Sequence, residues 1–259
     1  MNTGAFEDVI RPGDYLMRIA ASGLGRAYKS LAVSELGISP GDVVVDLGCG
    51  PGADLAAFAE AAGEAGLVIG FDQDPAAVRE AATRVASLPR VRVMHGDVHA
   101  IGLPDASADR VHTDRVLQHV ADPAGVLAEI RRVLRPGGSA VFAEPDWDTL
   151  VIDYPDLAVS RAYTRFVTER VVRNSCIGRQ LVRLGAEAGL PVSKIVPITA
   201  AFRDAQSADK VLGFKRVSDR AVAAGYLSAD AAGLFLEHLA TQPFFASMTL
   251  FVVVARPLS

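Results

Sequence analysis

Cysteine is scarce in this chain. Its 259 residues include only Cys49 and Cys176. They offer neither a disulfide framework nor a thiolate metal spacing, so both are expected as free thiols in a reducing compartment. A large charge imbalance is also lacking. The net charge is −4 and the pI about 5.7, which argues against a strongly basic face and so against nucleic acid as a partner. Long hydrophobic runs are missing too. The longest, residues 244–255, is interrupted by Ser247 and Thr249. It is too short to span a membrane and reads as a final strand. No basic, apolar, small-residue leader opens the sequence, so a cytoplasmic location is expected. The five histidines, His95, His99, His112, His119 and His238, show no ligand spacing, and no metal is expected. There is no internal repeat and no low-complexity linker.

What the chain does have is alternation. Short β-branched runs at 43–45, 67–71, 91–94, 111–113 and 140–143 are of the kind buried on both faces of a parallel sheet. Alanine- and leucine-rich segments with helical spacing lie between them, at 53–62, 75–86 and 123–134. The last two open on Asp74–Pro75 and Asp122–Pro123, an acidic cap followed by proline at the first helical position. Strand and helix in turn predict a doubly wound α/β sheet. Beyond it, 150–188 reads as helical with a break near Asn174–Ser175, and 192–202 as a strand. Residues 207–224 and 228–239 read as helices. The first 39 residues read as helices broken by Pro12, Gly13, Gly23 and Gly25. Four regions follow: an N-terminal helical lid (1–40), an α/β core (41–147), a helical segment for an acceptor (148–190) and strands with inserted helices that complete the sheet (191–259).

The most informative stretch is VVVDLGCGPG, which starts at Val43. Glycines at 48, 50 and 52 directly after a buried strand let the backbone approach a ligand that side chains would exclude. In an open parallel sheet that position is where ligands bind. The next strand ends at Asp72, about 20 residues on, where a carboxylate accepts from both hydroxyls of a ribose. A nucleoside-containing cofactor is implied. The loop alone also fits the looser dinucleotide pattern, so NAD stays open at this point. Asp46, just before the loop, would repel a pyrophosphate and attract a sulfonium or an ammonium. Asp97 and Val98 stand at the end of the third strand. There a carboxylate accepts from the adenine amine and a backbone amide donates to the ring.

Taken together, VVVDLGCGPG, GFDQDP, GDVHAIGLPDASADRV, RVLQHVADPAGVLAEIRRVLRPGG and the strand ending FAEP resemble the ordered motifs of class I S-adenosylmethionine-dependent methyltransferases. The likeness is to the branch with ubiquinone/menaquinone C-methyltransferases and the small-molecule methyltransferases of bacterial secondary metabolism. It is strong over residues 40–147 and weak outside them. It implies a Rossmann-like seven-stranded sheet of order 3-2-1-4-5-7-6, the last strand antiparallel, with S-adenosyl-L-methionine as cofactor. By motif position, Gly48, Cys49 and Gly50 would line the methionine and ribose. Asp72 would hold the ribose, Gln73 would lie along the adenine, and Asp97 and Val98 would read its edge. Asp114 and Arg115 would sit near the methionine amino-acid group. Pro51 stands where related quinone enzymes carry Thr, which leaves a quinone substrate open.

Methyl transfer from a sulfonium is an in-line displacement that needs alignment and exclusion of water, and a base only when the acceptor must lose a proton early. The acceptor is therefore expected under the helical cover, as a small, largely apolar metabolite. Tyr15, Asp146, Trp147 and His119 are candidates for meeting it, with Asn174 in the pocket wall and Phe166 and Tyr163 as further apolar walls. His112, inside a buried strand, reads as structural. Arg161, Arg165, Arg170, Arg173, Arg179 and Arg183 crowd one segment, and one that turned inward would hold an anionic acceptor. Three alternatives share the sequence features: a cyclase or a binding protein that keeps the cofactor without methyl transfer, and an NAD-dependent reductase. The reductase lacks support from any Tyr-x-x-x-Lys pair. A homodimer is left open.

Overall fold

The computed structural model describes residues 23–257. Seven strands form one sheet: β1 (Val43–Leu47), β2 (Leu67–Asp72), β3 (Val91–His95), β4 (Ala108–Asp114), β5 (Leu134–Ile152), β6 (Val192–Phe202) and β7 (Ala246–Ala255). Their order is β3-β2-β1-β4-β5-β7-β6. The first five are parallel, and β7 runs antiparallel to both of its neighbours, as the resemblance implies.

Helices α1 (Gly23–Leu36), α2 (Leu55–Ala62) and α3 (Pro75–Arg84) cover one face, and α4 (Pro123–Val133) the other. Asp74 accepts from the Ala76 amide at 2.8 Å and Asp122 from the Gly125 amide at 3.0 Å, so both acidic caps form as read. On the first face, Phe58 and Leu55 of α2 and Tyr28, Ala32 and Leu36 of α1 pack on Val44, Val68 and Val141. On the other, Val126, Leu127 and Ile130 of α4 meet Val45, Val111 and Phe142. Helix α1 thus belongs to the sheet's own core. The rest of the expected lid, with Pro12, Gly13 and Tyr15, lies outside the described residues.

The second half of the chain departs from the sequence reading. β5 does not stop near Ala143. It continues to Ile152, because β7 offers it a partner as far as Ala246. Asp146, Trp147 and Asp148 therefore lie within a strand and not after it, and the boundary expected at 147 falls inside β5. Between Asp146 and Val151 the register slips, and the extra residues of β5 bulge out. Helix α5 (Leu157–Phe166) runs into a π-helical turn at Val167–Val171, and α6 (Ile177–Glu187) follows on the α4 face. The segment expected as one helix over 207–224 is two, α7 (Ala205–Leu212) and α8 (Phe214–Ala223), divided by Gly213 at φ +62°. Helix α9 (Ala229–Thr241) leads into β7.

The ends of β5 and β6 and the start of β7 meet at the carboxyl edge of the sheet. There α5, α7, α8 and α9 build a second apolar core, around Tyr163, Phe166, Phe214 and Phe235. Burying a large apolar side chain contributes about 1.5–3 kcal/mol, so this cap is a folded layer in its own right and not a loose flap. Tyr163 and Phe166, expected as pocket walls, are consumed by it. Both are buried, and the Tyr163 hydroxyl donates to the Leu212 carbonyl at 2.8 Å.

Candidate functional site

The turn after β1 is shaped by backbone. Gly48, Gly50 and Gly52 take φ values of +69°, +53° and +80°, in the left-handed region that favours glycine. At Gly48 a Cβ would also meet Val116 Cγ2 at 2.4 Å, so the turn lies directly against the loop that follows β4. The Cys49 amide donates to the Phe71 carbonyl at 2.9 Å. Asp72 ties the turn to β2: its Oδ2 accepts from the Gly50 amide at 2.8 Å and its Oδ1 from the Asp74 amide at 2.8 Å. Each oxygen keeps a further lone pair, and the side chain is only half-buried. The carboxylate is thus fixed in place with acceptor capacity left.

Gln73 is exposed, and its carbonyl faces the His95 ring. One strand further out, Asp97 is exposed. It accepts from the His99 amide at 2.9 Å and contacts His99 Nδ1 at 2.6 Å. The first of these bonds, then the second, hold its carboxyl below the usual range. Val98 beside it is buried. Asp72, Gln73, Asp97 and Val98 therefore form a continuous edge, since Asp72 and His95 are register partners.

A cleft opens next to the glycine turn, lined by Gly48, Cys49, Gly50, Asp46, Asp114 and Arg115, and also by Lys29 and Asp54. Lys29, from α1, is the residue the sequence reading missed. Its ammonium lies 2.5 Å from both Asp54 Oδ2 and Asp114 Oδ2. The Tyr28 hydroxyl donates to Asp114 at 3.0 Å, and Arg115 Nε donates to it at 3.2 Å. Burial pushes the Asp114 carboxyl up, but the charges of Arg115 and Lys29 outweigh it and hold the group well below the usual carboxylate range. Burial pushes the Lys29 ammonium down, but Asp114, Tyr28 and Asp54 together outweigh it and raise the group. Arg115 itself sits at φ +56°, a conformation costly for a residue with a side chain. Charges of both signs are thus packed at the mouth of the glycine turn. The signal for Lys29 in the sequence was slight, a cation next to Tyr28 in a helix outside the recognisable motifs.

Asp46, expected to face the cofactor, is buried, with its Oδ1 2.8 Å from His112 Nδ1. Burial raises the Asp46 carboxyl. His112 is pushed down by burial and raised, on balance, by its bond to Asp46. The pair forms the floor beneath the turn, with the His112 ring edge-on to Phe58 at 5.0 Å. Cys49 is buried, and burial raises its thiol.

The loop after β4 is clamped from two sides. Glu144, fully buried at the end of the FAE run, accepts from the Val116 amide at 2.8 Å, the Leu117 amide at 2.7 Å and the Gln118 amide at 3.4 Å. Burial pushes its carboxyl up to about 8 against the pull of these amides. An acid inside an apolar strand was the signal that could have revealed it. Asn174 Nδ2 donates to the Leu117 carbonyl at 2.8 Å and the Val120 carbonyl at 2.9 Å. Gln118 accepts from Trp147 Nε1 at 2.8 Å, which ties the loop to β5.

Trp147 and Asp146 are buried. Arg179 of α6 grips both oxygens of Asp146 and also reaches Asp148 at 3.1 Å, so the carboxylate is held as an ion pair. His119, by contrast, is an exposed residue of the loop after β4. The surrounding protein, then Arg115 and Arg173, push its pKa down to about 4, so the imidazole is neutral near pH 7. Of the acceptor-side candidates, the structure brings His119, Trp147 and Asp146 to the same edge, and Tyr15 lies outside the described residues.

The model of a methyltransferase domain matches residues 45–142, the span from β1 into β5. The chain is 56% identical over 242 residues to an uncharacterised 37.1 kDa protein in transposon TN4556 of Streptomyces fradiae, covering 93% of this chain and 70% of that one. It is 29% identical over 147 residues to demethylmenaquinone methyltransferase of Staphylococcus aureus, covering 57% of this chain and 61% of that one. Among solved structures, a methyltransferase-like protein of Bacillus halodurans superposes with a TM-score of 0.64 at 15% identity, over 90% of this chain and all of that one. The glycine turn, the Asp72 edge and the sheet order agree with these matches: residues 45–142 carry a methyltransferase domain, on the fold of the class I S-adenosylmethionine-dependent methyltransferases.

Proposed function

We propose that this methyltransferase acts on a small, largely apolar metabolite enclosed between the loop after β4 and the helical cap. The observation that carries this reading is the cap itself. Its apolar core stands on the extended ends of β5 and β7, at the same sheet edge as the glycine turn, so an acceptor must enter a covered space. A macromolecule would need an open, charged approach. The named activity of the Staphylococcus aureus relative, on demethylmenaquinone, supports an acceptor of this size.

The residues present fit the cofactor. The glycine turn has positive-φ backbone where a Cβ would collide. Asp72 retains lone pairs for the ribose hydroxyls. Asp97 would accept from the adenine edge, and Val98 would donate its amide. Lys29 would match the methionine carboxylate, and Asp114 the ammonium. When bound, the cofactor supplies an electrophilic methyl group on a sulfonium. The chain's own part is then to hold the acceptor in line and keep water out. Glu144 and Asn174 do this indirectly by fixing the loop that carries His119. Where the acceptor must lose a proton, the neutral His119 ring, on the loop after β4, offers a lone pair. The reading is tested by incubating the enzyme with labelled methyl donor and panels of apolar phenols, quinols and terpenoids. Stoichiometric S-adenosylhomocysteine and a labelled small product are expected. Labelled protein or RNA in its place would overturn it.

A further inference from the structure

The acids bordering the acceptor side are all engaged. Asp114 is bound by Lys29, Tyr28 and Arg115. Asp146 and Asp148 are bound by Arg179. Glu144 is buried on three amides. Glu169, further along, accepts from the Tyr226 hydroxyl at 2.6 Å. Among the described residues of the arginine-rich segment, Arg161, on α5, and Arg173 have neither an ion pair nor a hydrogen bond, and of the two Arg173 stands next to the loop after β4. Arg165 stacks on the Tyr226 ring, Arg170 donates to the Tyr226 hydroxyl, and Arg183 pairs with Glu187. Arg173 is exposed and, among the described residues, has neither an ion pair nor a hydrogen bond.

Its backbone position is nevertheless fixed. Val172 before it is buried, with its amide on the Val167 carbonyl at 3.1 Å. Asn174 after it donates its amide to the Gln118 carbonyl at 3.1 Å and its side chain to the Leu117 and Val120 carbonyls. Residue 173 is thereby set alongside the turn that carries His119, whose own amide closes on the Val116 carbonyl at 2.9 Å. Arg115, at the start of the same turn, lines the cofactor cleft. Arg115 and Arg173 are therefore both set beside the turn that carries His119, and their charges add to burial, the larger cause, in lowering its pKa. A cation held on a pinned backbone without a counter-ion is poised to take one from a ligand.

We propose that Arg173, with Arg115 near the same His119 ring, holds an anionic group of the methyl acceptor, a carboxylate or a phosphate ester, beside the cofactor cleft. The proposal deepens the small-molecule reading and rests on it: the acceptor is apolar in its bulk and anionic at one end. The guanidinium plane would grip two anionic oxygens and fix the acceptor's orientation, leaving the apolar remainder under the cap.

The test uses the full chain saturated with S-adenosylhomocysteine and three probes on one aromatic frame: 2-naphthoate, 2-naphthyl phosphate and neutral 2-naphthamide. Binding is followed by naphthalene fluorescence. At least one anionic probe should bind about tenfold or more tighter than the amide, and the better of the two identifies carboxylate or phosphate as the group recognised. Arg173→Gln should remove that preference and leave S-adenosylhomocysteine affinity within about twofold, whereas Arg183→Gln, on the exposed face of α6, should change neither. Equal binding of all three probes, no anion binding at millimolar probe, or an Arg173→Gln protein that keeps the preference would overturn the proposal while the methyltransferase reading stands. A wild-type chain that failed to bind S-adenosylhomocysteine would break that reading, and this proposal with it.

Discussion

At the carboxyl edge of the sheet, the β1–β3 side is made largely of backbone and the β5–β7 side largely of side chains. On the first side, positive-φ glycines shape the turn, and Asp72 and Asp97 fix themselves on main-chain amides. On the second, a bulged strand, a buried Asp146–Arg179 pair and an aromatic core make the cap. Backbone sites tolerate few residue types, because only glycine accepts the conformation and only a short acid reaches the amides. Packed side chains admit many solutions of equal volume. The first side is therefore fit to hold one invariant cofactor, and the second to be re-cut for different acceptors.

The hardest blow to the cofactor side is Gly48→Ala. The left-handed backbone costs about 1–2 kcal/mol for a residue with a Cβ, and the 2.4 Å approach to Val116 adds about 1–3 kcal/mol of overpacking. Calorimetric titration should show S-adenosylhomocysteine binding weakened a hundredfold or more. Adding Val116→Ala should recover only the packing part; full recovery would mean that the conformation of the turn is irrelevant. Asp72→Ala comes next. Charged hydrogen bonds contribute about 1.5–3 kcal/mol each, and the variant loses those to the turn as well as those offered to the ribose. A loss of about a hundredfold in cofactor affinity is expected, with acceptor binding to the cap side little changed. Undiminished affinity would remove Asp72 from the site.

Lys29→Met probes the junction between the two sides. Removing one partner of a buried pair costs about 3–5 kcal/mol, and the lower end is expected because Tyr28 and Arg115 still serve Asp114. The pH dependence has a definite sign. The folded Asp114 carboxyl lies below its ordinary 3.8, so its stabilisation is fully present above that value and is lost as pH falls through the folded one. Without Lys29 the folded value rises toward 3.8 and the contribution shrinks. Acid unfolding, followed by circular dichroism, should then begin at higher pH in the variant. Coincident acid transitions would show that Lys29 does not set the charge of Asp114.

The same contrast explains what could be read in advance. The sheet order, the glycine turn and the caps at Asp74 and Asp122 were legible because each is a local constraint with a narrow set of solutions. The extension of β5 to Ile152 was not. It depends on pairing with β7, about a hundred residues further along, and "EPDWDTLVI" carries polar residues that suggest a loop. The split at Gly213 was visible only as one glycine in a helical pattern. Lys29 and Glu144 escaped because a cation in a helix and an acid in a strand have no evident partner until the chain is folded. The arginine-rich segment was legible as composition, but only the structure distinguishes Arg179, spent on Asp146, from Arg173.

The smallest effect expected is on the side-chain side, at Trp147. Its indole donates to Gln118 Oε1, a side-chain hydrogen bond from β5 to the loop that carries His119. Trp147→Phe keeps an aromatic ring in the apolar cap and deletes that donor. A neutral hydrogen bond contributes about 1 kcal/mol, which in a chain of this size lowers Tm by about 2–4 °C. Glu144 and Asn174 still hold the loop, so the fold should persist. S-adenosylhomocysteine affinity should stay within about twofold, because Trp147 does not line the cofactor cleft. The acceptor KM should rise severalfold, since the Trp147 end of β5 is then less firmly tied to the loop, which Glu144 still anchors further back along the strand. Trp147→Leu, which also removes the ring, should raise it further. If Trp147→Phe weakened the cofactor as much as the acceptor, the two sides of the edge would not be separable, and the division into a backbone-built cofactor side and a side-chain-built acceptor side would fail at the residue that joins them.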